Sequence, residues 1–362
     1  MLPLIKTYIP PREILMPKIE EVLYSGYIAQ GEAVENFERK FEEFIGSGYT
    51  LSLNSGTAAL HIALILAGVK EGDEVISTAM TAEPTNVAIK MVGAKVRWAD
   101  VDYETGNIAP KAIENAINEK TKAIIVVDYA GTPVDVKSIQ EISLKYNIPV
   151  IEDAAHALGT TYNGKKTGNH FPFTVFSFQA IKHLTTVDGG ALQIQDKELY
   201  EKGKLIRWFG LDKKLTRLEN DIQIQGYKYH MNNVNATIGL VQLETIEELL
   251  QQYRTIGKYL DVNLNGLPGL ETVVHYPNSE SSYWLYTLKV DRRDDFIKMM
   301  ADNGFMASEI HKRNDLHTYL NDYPTEMPNL DKFYSRLVHI PCGWWVTIED
   351  CDKMIELIKK GW

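Results

Sequence analysis

Cysteine is nearly absent: Cys342 and Cys351 are the only two in 362 residues. Two thiols cannot build a disulfide framework or a metal cluster, and they fit a reducing, cytoplasmic compartment. Long apolar runs are missing too. No stretch approaches the ~18 consecutive apolar residues that a membrane-spanning helix needs. The first residues, MLPLIKTYIPPRE, place prolines and charges where a signal peptide needs an apolar core, so export is not expected. Positive charge is short, since 38 Lys and Arg against 48 Asp and Glu leave a net charge of −10 with no dense basic run. That balance disfavours nucleic-acid binding through a basic face, but leaves room for an anionic small molecule at a local site. The nine histidines show no HExxH or similar spacing, so no metal site is expected. No unit of about 20 to 50 residues repeats, which excludes solenoids and propellers.

What is present is globular composition, with 44% apolar and 24% charged residues. At roughly 150 residues per domain the length suggests two domains. TLSLN (50–54), EVIST (74–78), KVRWAD (95–100), KAIIVVD (122–128), IPVIED (148–153), TVFSF (174–178) and GALQIQ (190–195) read as strands. Several are apolar on both faces, as strands of a parallel sheet covered by helices must be. Helical patterns such as TAALHIALILAGV (57–69), PKAIENAIN (110–118) and VKSIQEISLKYN (136–147) lie between them. This alternation predicts an α/β fold with a mostly parallel, doubly wound sheet. From about residue 232 one long helical pattern runs to a Gly-Leu-Pro-Gly turn at 266–269. A strand pattern at 283–290 and a helical one at 293–304 follow. The expected division is therefore a large domain over 1–248, with an N-terminal arm before the Pro-Pro at 10–11, and a small α+β domain over 249–362.

Ligands of open α/β sheets bind beyond the carboxyl ends of the strands, so the residues that follow each strand carry the functional signal. After 50–54 come Asn54, Ser55, Gly56 and Thr57, then a helix. Small residues there leave N–H groups free for an anion, and the same residues also make an ordinary Ser/Thr cap. After 148–152 comes Asp153, followed by Ala154, Ala155 and His156. A carboxylate at the end of a buried strand must be paired or bonded, as a helix cap or as a functional group. After 174–178 comes Lys182, just before Gly189 and Gly190, which allow close backbone approach. Such a lysine is either a solvated charge or a nucleophile with a lowered pKa. A phosphate cradle, a carboxylate and a nucleophilic lysine are together the parts of a pyridoxal 5'-phosphate site.

These motifs resemble the sugar aminotransferases of the DegT/DnrJ/EryC1/StrS family, pyridoxal-phosphate enzymes of the aspartate-aminotransferase fold (fold type I). The similarity runs from SGYIAQG (25–31) to the last helix and is most specific over residues 151–192. It implies that Lys182 holds the cofactor covalently and is the catalytic residue, with Asp153 as partner of the pyridine nitrogen. His156 would lie near the ring and its phenolic oxygen. Ser55, Gly56, Thr57 and Ser177 would bind the phosphate. GYKYHMNNVNATIGLVQLE (226–244) matches the stretch by which a neighbouring subunit completes the phosphate site. Lys228 stands there where many relatives carry Asn, and a homodimer with shared sites is implied. Many relatives also stack an aromatic residue on the ring from the loop after the second strand, where this chain has Ala82. Relatives that dehydrate a sugar replace the lysine with His, whereas Lys182 is kept here. The resemblance thus implies amino transfer from L-glutamate to a nucleotide-diphosphate keto-sugar, rather than a sugar dehydratase or a non-catalytic regulatory protein. The segment after Lys182 is similar to that of relatives acting at the fourth ring carbon, so a 4-keto-6-deoxy sugar is the expected acceptor and the third carbon the alternative.

Gly159 to Lys166 nearly spells a P-loop, but Lys166 stands where a hydroxyl must bind magnesium, and Asn163-Gly164 reads better as a hairpin turn. No GxGxxG follows a strand. His61 reads as a satisfied core residue, and Trp344-Trp345 as packing. Residues 309–315 are densely polar, either as a solvated loop or because His311, Lys312 or Arg313 meets the sugar or its diphosphate.

Overall fold

The computed structural model describes residues 1–362. Its central sheet is built from β1 (Tyr49–Leu53), β2 (Glu74–Ser77), β3 (Lys95–Trp98), β4 (Thr121–Val127) and β5 (Val150–Asp153). After a short hairpin, β6 (Thr161–Tyr162) and β7 (Lys165–Lys166), the sheet is completed by β8 (Phe173–Ser177) and β9 (Gly190–Ile194). The order across it is β1-β9-β8-β5-β4-β2-β3. Strands β8, β5, β4, β2 and β3 run parallel, and β9 alone is reversed, antiparallel to both β1 and β8. The mostly parallel α/β architecture expected from the sequence is the one found. Its cause is visible in β4, where Ile124, Ile125, Val126 and Val127 are buried on both faces. The helix Gly56–Leu66 is apolar nearly all round and is buried along most of its length.

The small sheet is antiparallel, with β10 (Leu270–Thr272), β12 (Tyr286–Val290) and β13 (Leu337–Ile340) in that order, while β11 (Ser279–Glu280) pairs with β6. Its core joins Leu288, Phe296 and Met354 to Leu260 and Leu264 of the helix Ile246–Leu264. The expected boundary at 248/249 falls in the first turn of that helix. The N-terminal arm straps onto this part of the chain: Leu2 bridges Phe305, and the Trp345 indole donates to the Pro3 carbonyl at 2.9 Å.

Two expectations are adjusted. The single helical pattern from residue 232 is two helices, Asn233–Leu243 and Ile246–Leu264, broken at Glu244 and Thr245. The strand expected over 283–290 begins only at Tyr286, because Tyr283 sits at φ 49° and Leu285 donates to the Ala130 carbonyl instead of a strand. No helix is long and apolar enough to cross a membrane.

Candidate active site

The carboxyl ends of β1, β2, β5 and β8 open into one cavity of about 390 Å³. Ser55, Gly56, Thr57, Asp153, His156, Ser177 and Lys182 all line it, together with His311 from the second half of the chain. Those from the first half of the chain meet because each stands at or after the end of a strand on the same edge of the sheet.

One end is a helix N-terminus. Ser55 caps the helix Gly56–Leu66 by accepting from the Ala58 N–H at 3.1 Å. The N–H groups of Gly56 and Thr57 belong to the first turn and have no carbonyl inside the helix to bond. Glycine is required for this approach: a Cβ on Gly190 would lie 2.5 Å from the Gly56 nitrogen, and one on Gly56 would lie 3.2 Å from Ser177 Cβ. Backbone amides, the helix dipole and the Ser177 hydroxyl therefore converge on a pocket suited to a phosphate.

Deeper in, Asp153 is 4% exposed, and burial pushes its carboxyl pKa up. Two donors oppose that shift, the Thr85 hydroxyl at 2.8 Å and the Ala155 N–H at 3.1 Å, as does the charge of Lys182. Lys182 faces the same space, and burial lowers its amine pKa to about 7, against the pull of Asp153. An amine so poised supplies both neutral nucleophile and charged acid near neutral pH. His156 is buried, and its pKa is held well down by desolvation and by the Lys182 charge. Its Nδ1 accepts from the Ala130 N–H at 3.4 Å, so the ring hydrogen sits on Nε2. The loop carrying His311 is pinned across the cavity by Asn314, which donates to the carbonyls of Ala79 and Thr81 at 2.8 Å and accepts from Asn86 at 2.8 Å.

Not every candidate from the sequence comes here. Lys228 is exposed outside the cavity; its segment pairs by backbone with the end of β1, through the Asn54 N–H donating to the Tyr229 carbonyl at 2.7 Å and the Leu53–His230 bridge. Lys312 is also exposed and outside it. Arg313 is outside it too, with its guanidinium bound to Asp315 at 2.8 Å and to Asp331. Ala82 lines the cavity as expected, and the imidazoles of His156 and His311 are the only aromatic rings among the lining residues. His61 is a core residue bonded to the Tyr229 hydroxyl at 3.1 Å. The near P-loop is the β6–β7 hairpin, turning at Asn163 and Gly164 with positive φ. Sequence reasoning missed Thr85 and Thr81, whose hydroxyls lie 2.9 Å apart behind Asp153, and Trp284 beneath His156. The one signal for Thr85 was its place in the loop after β2.

The glycine-lined phosphate cradle, the buried carboxylate with its two donors and the facing amine fit pyridoxal 5'-phosphate. The sequence pattern of the DegT/DnrJ/EryC1/StrS aminotransferase family matches residues 12–359. Among solved structures, AtS13 from Actinomadura melliaura is 39% identical with a TM-score of 0.97, covering 100% of this chain and 99% of its own. Sugar aminotransferase CalS13 from Micromonospora echinospora is 36% identical with a TM-score of 0.96, and each chain is covered in full, 100% and 100%. Spore coat polysaccharide biosynthesis protein SpsC from Bacillus subtilis is 30% identical over 360 residues, which cover 94% of this chain and 92% of that protein. Aminotransferases of the matched family depend on pyridoxal phosphate. This chain belongs to the DegT/DnrJ/EryC1/StrS aminotransferase family.

Proposed function

We propose that the protein moves an amino group from L-glutamate to a nucleotide-linked 4-keto-6-deoxy sugar, giving a 4-amino-4,6-dideoxy sugar. The observation that carries this reading is the meeting of Lys182, Asp153 and the helix N-terminus at Gly56 in one cavity. The likeness to a sugar aminotransferase and to a polysaccharide biosynthesis protein supports a sugar acceptor.

When bound there, pyridoxal phosphate supplies an aldehyde to carry the amine and a ring to accept electrons from the donor's α-carbon. Lys182 holds the aldehyde between turnovers. As a free amine, its Nζ would carry the proton from the donor α-carbon to the cofactor and, in the second half-reaction, one from the cofactor to the sugar carbon that bears the new amine. Glutamate leaves as its keto acid, and the keto-sugar leaves as an amino sugar. Asp153 stays ionised against the ring nitrogen with help from Thr85 and the Ala155 N–H. His156, neutral with its hydrogen on Nε2, donates toward the phenolic oxygen. Ser55, Gly56, Thr57 and Ser177 hold the phosphate.

Two copies share the sites in this reading. Tyr24, Tyr27 and Ile28 are left 85%, 79% and 51% exposed, and the Tyr27 carbonyl accepts from Asn233, close after segment 226–231. A second copy covering that face brings exposed Lys228 toward its neighbour's phosphate. His311 faces the sugar, while Lys312 is left for the diphosphate; Arg313 is committed elsewhere.

The fourth ring carbon is favoured by the segment after Lys182, which reads His-Leu-Thr-Thr-Val-Asp-Gly-Gly and walls the cavity at Asp188 and Gly189. A ring misplaced by about 1 Å against that wall costs on the order of 100-fold in rate. The test offers the 3-keto and 4-keto isomers of one nucleotide sugar with glutamate and locates the new amine by NMR. Amination at the fourth carbon is expected. Amination only at the third overturns the position, and amination of neither isomer overturns the sugar reading.

A further inference from the structure

One large aromatic side chain, Trp284, lies beneath His156. Trp284 is 1% exposed and lies in the loop that leads into β12, where Leu285 donates to the Ala130 carbonyl. Its indole N–H donates to the carbonyl of Ile181, the residue before Lys182, at 2.9 Å. Its face stacks on the His156 imidazole, with ring centroids 3.9 Å apart and planes 18° from parallel. Lys182 Nζ lies 3.8 Å from the indole centroid. One side chain thus touches the backbone leading to the lysine, the lysine's amine and the imidazole beside it.

The charge of Lys182 has few other supports. Asp153, at the end of β5, is the one opposite charge acting on it. His156, His183 and His311 also face it and are neutral near pH 7, since burial lowers all three, His183 to about 3 and His311 to about 4. A desolvated ammonium over an indole face gains more than an exposed one, because the ring quadrupole then competes with no water.

We propose that Trp284 is a positioning residue for amino transfer: its indole face is the resting place of the Lys182 ammonium, and its N–H fixes the turn that carries the lysine. This rests on Lys182 being the cofactor's lysine. Displaced from the cofactor, the amine settles over the ring instead of swinging to Asp153, and stays within reach of the carbon whose proton it moves. Trp284 itself exchanges no proton. Burial lowers the amine pKa while Asp153 and the π face raise it, so that neutral and charged forms coexist near neutral pH.

The experiment uses the full chain freed of cofactor, so its readout is independent of turnover. Lysines are reductively methylated with ¹³C-formaldehyde, and the Lys182 resonance is assigned by its loss in Lys182→Arg. In the wild-type chain the indole ring current is expected to shift that resonance upfield of every surface lysine. A resonance inside the surface range overturns the proposal and needs no tryptophan variant to fold. The same resonance is then titrated with pH. Trp284→Leu, which keeps an apolar side chain and removes the quadrupole, is expected to lower the midpoint by about half to one and a half units, a roughly three- to thirtyfold change in the ratio of neutral to charged amine. Trp284→Phe is expected to fall between. An unchanged midpoint in a folded Leu variant overturns the proposal. A cofactor label on another lysine instead overturns the assignment of Lys182 to catalysis, and leaves this titration standing as a fact about the amine.

Discussion

Replacing Thr85 with Val keeps the branched shape and removes the hydroxyl that donates to Asp153 Oδ2 at 2.8 Å. Asp153 is then left with the Ala155 N–H at 3.1 Å as its one hydrogen-bond donor. A buried hydrogen bond to a carboxylate contributes about 1.5–3 kcal/mol, which is roughly one to two pKa units. Burial already holds the Asp153 pKa up, so losing Thr85 raises it further. A carboxyl that keeps its proton no longer pairs with a protonated ring nitrogen. Cofactor affinity at about pH 6 is therefore expected to fall about ten- to a hundredfold. The deficit shrinks toward about pH 8, as Asp153 ionises even without the hydroxyl. Equilibrium titration with pyridoxal phosphate, followed by absorbance at both pH values, measures this. Thr85→Ser, which keeps the donor, is expected to recover most of the affinity. Equal affinity in the Val variant and the wild type, or a deficit independent of pH, refutes the argument that Thr85 acts through the charge on Asp153.

Three further outcomes follow from the same geometry. Burial raises the carboxyls of both Glu152 and its neighbour Asp128, so the stability they contribute is full at acid pH and is lost as pH rises from their unfolded values through their folded ones. Glu152→Gln is expected to reduce that loss, leaving the share of Asp128, in denaturant midpoints compared at acid and at mildly alkaline pH. Gly190→Ala drives a Cβ to 2.5 Å from the Gly56 nitrogen, and calorimetry with and without cofactor is expected to show a loss of a few kcal/mol together with cofactor binding. Mixing inactive Lys182→Ala with inactive Lys228→Ala chains is expected to restore about a quarter to a half of one site's activity if Lys228 acts across the subunit boundary; no recovery after proven subunit exchange counts against shared sites.

Much of this molecule was legible because its strands are apolar on both faces and its loops carry rare combinations. Asp153 and Lys182 were found from their places at and after strand ends, which the parallel sheet turns into one edge, and Ser177 from the family resemblance. Thr85 and Trp284 were not, for a physical reason: an isolated Thr in a loop and a Trp beside a strand look like surface and core until tertiary folding sets one on Asp153 and the other under His156. Arg313 is the reverse case. Its neighbour His311 lines the cavity, yet the side chain turns away because Asp315 and Asp331 satisfy its guanidinium. Charge in a polar loop says that a cation exists, not where it points. The break at Glu244 and Thr245 was hidden because the apolar periodicity continues across it.

The central claim is that Lys182 carries pyridoxal phosphate and hands it over to an amine donor. Borohydride reduction of the protein with cofactor bound, followed by peptide mapping, tests it most directly. The pyridoxyl group is expected on the peptide containing Lys182 and on no other, and prior incubation with L-glutamate is expected to abolish the label by releasing the lysine. A pyridoxyl group on any other lysine, or a label that glutamate leaves untouched, contradicts the account.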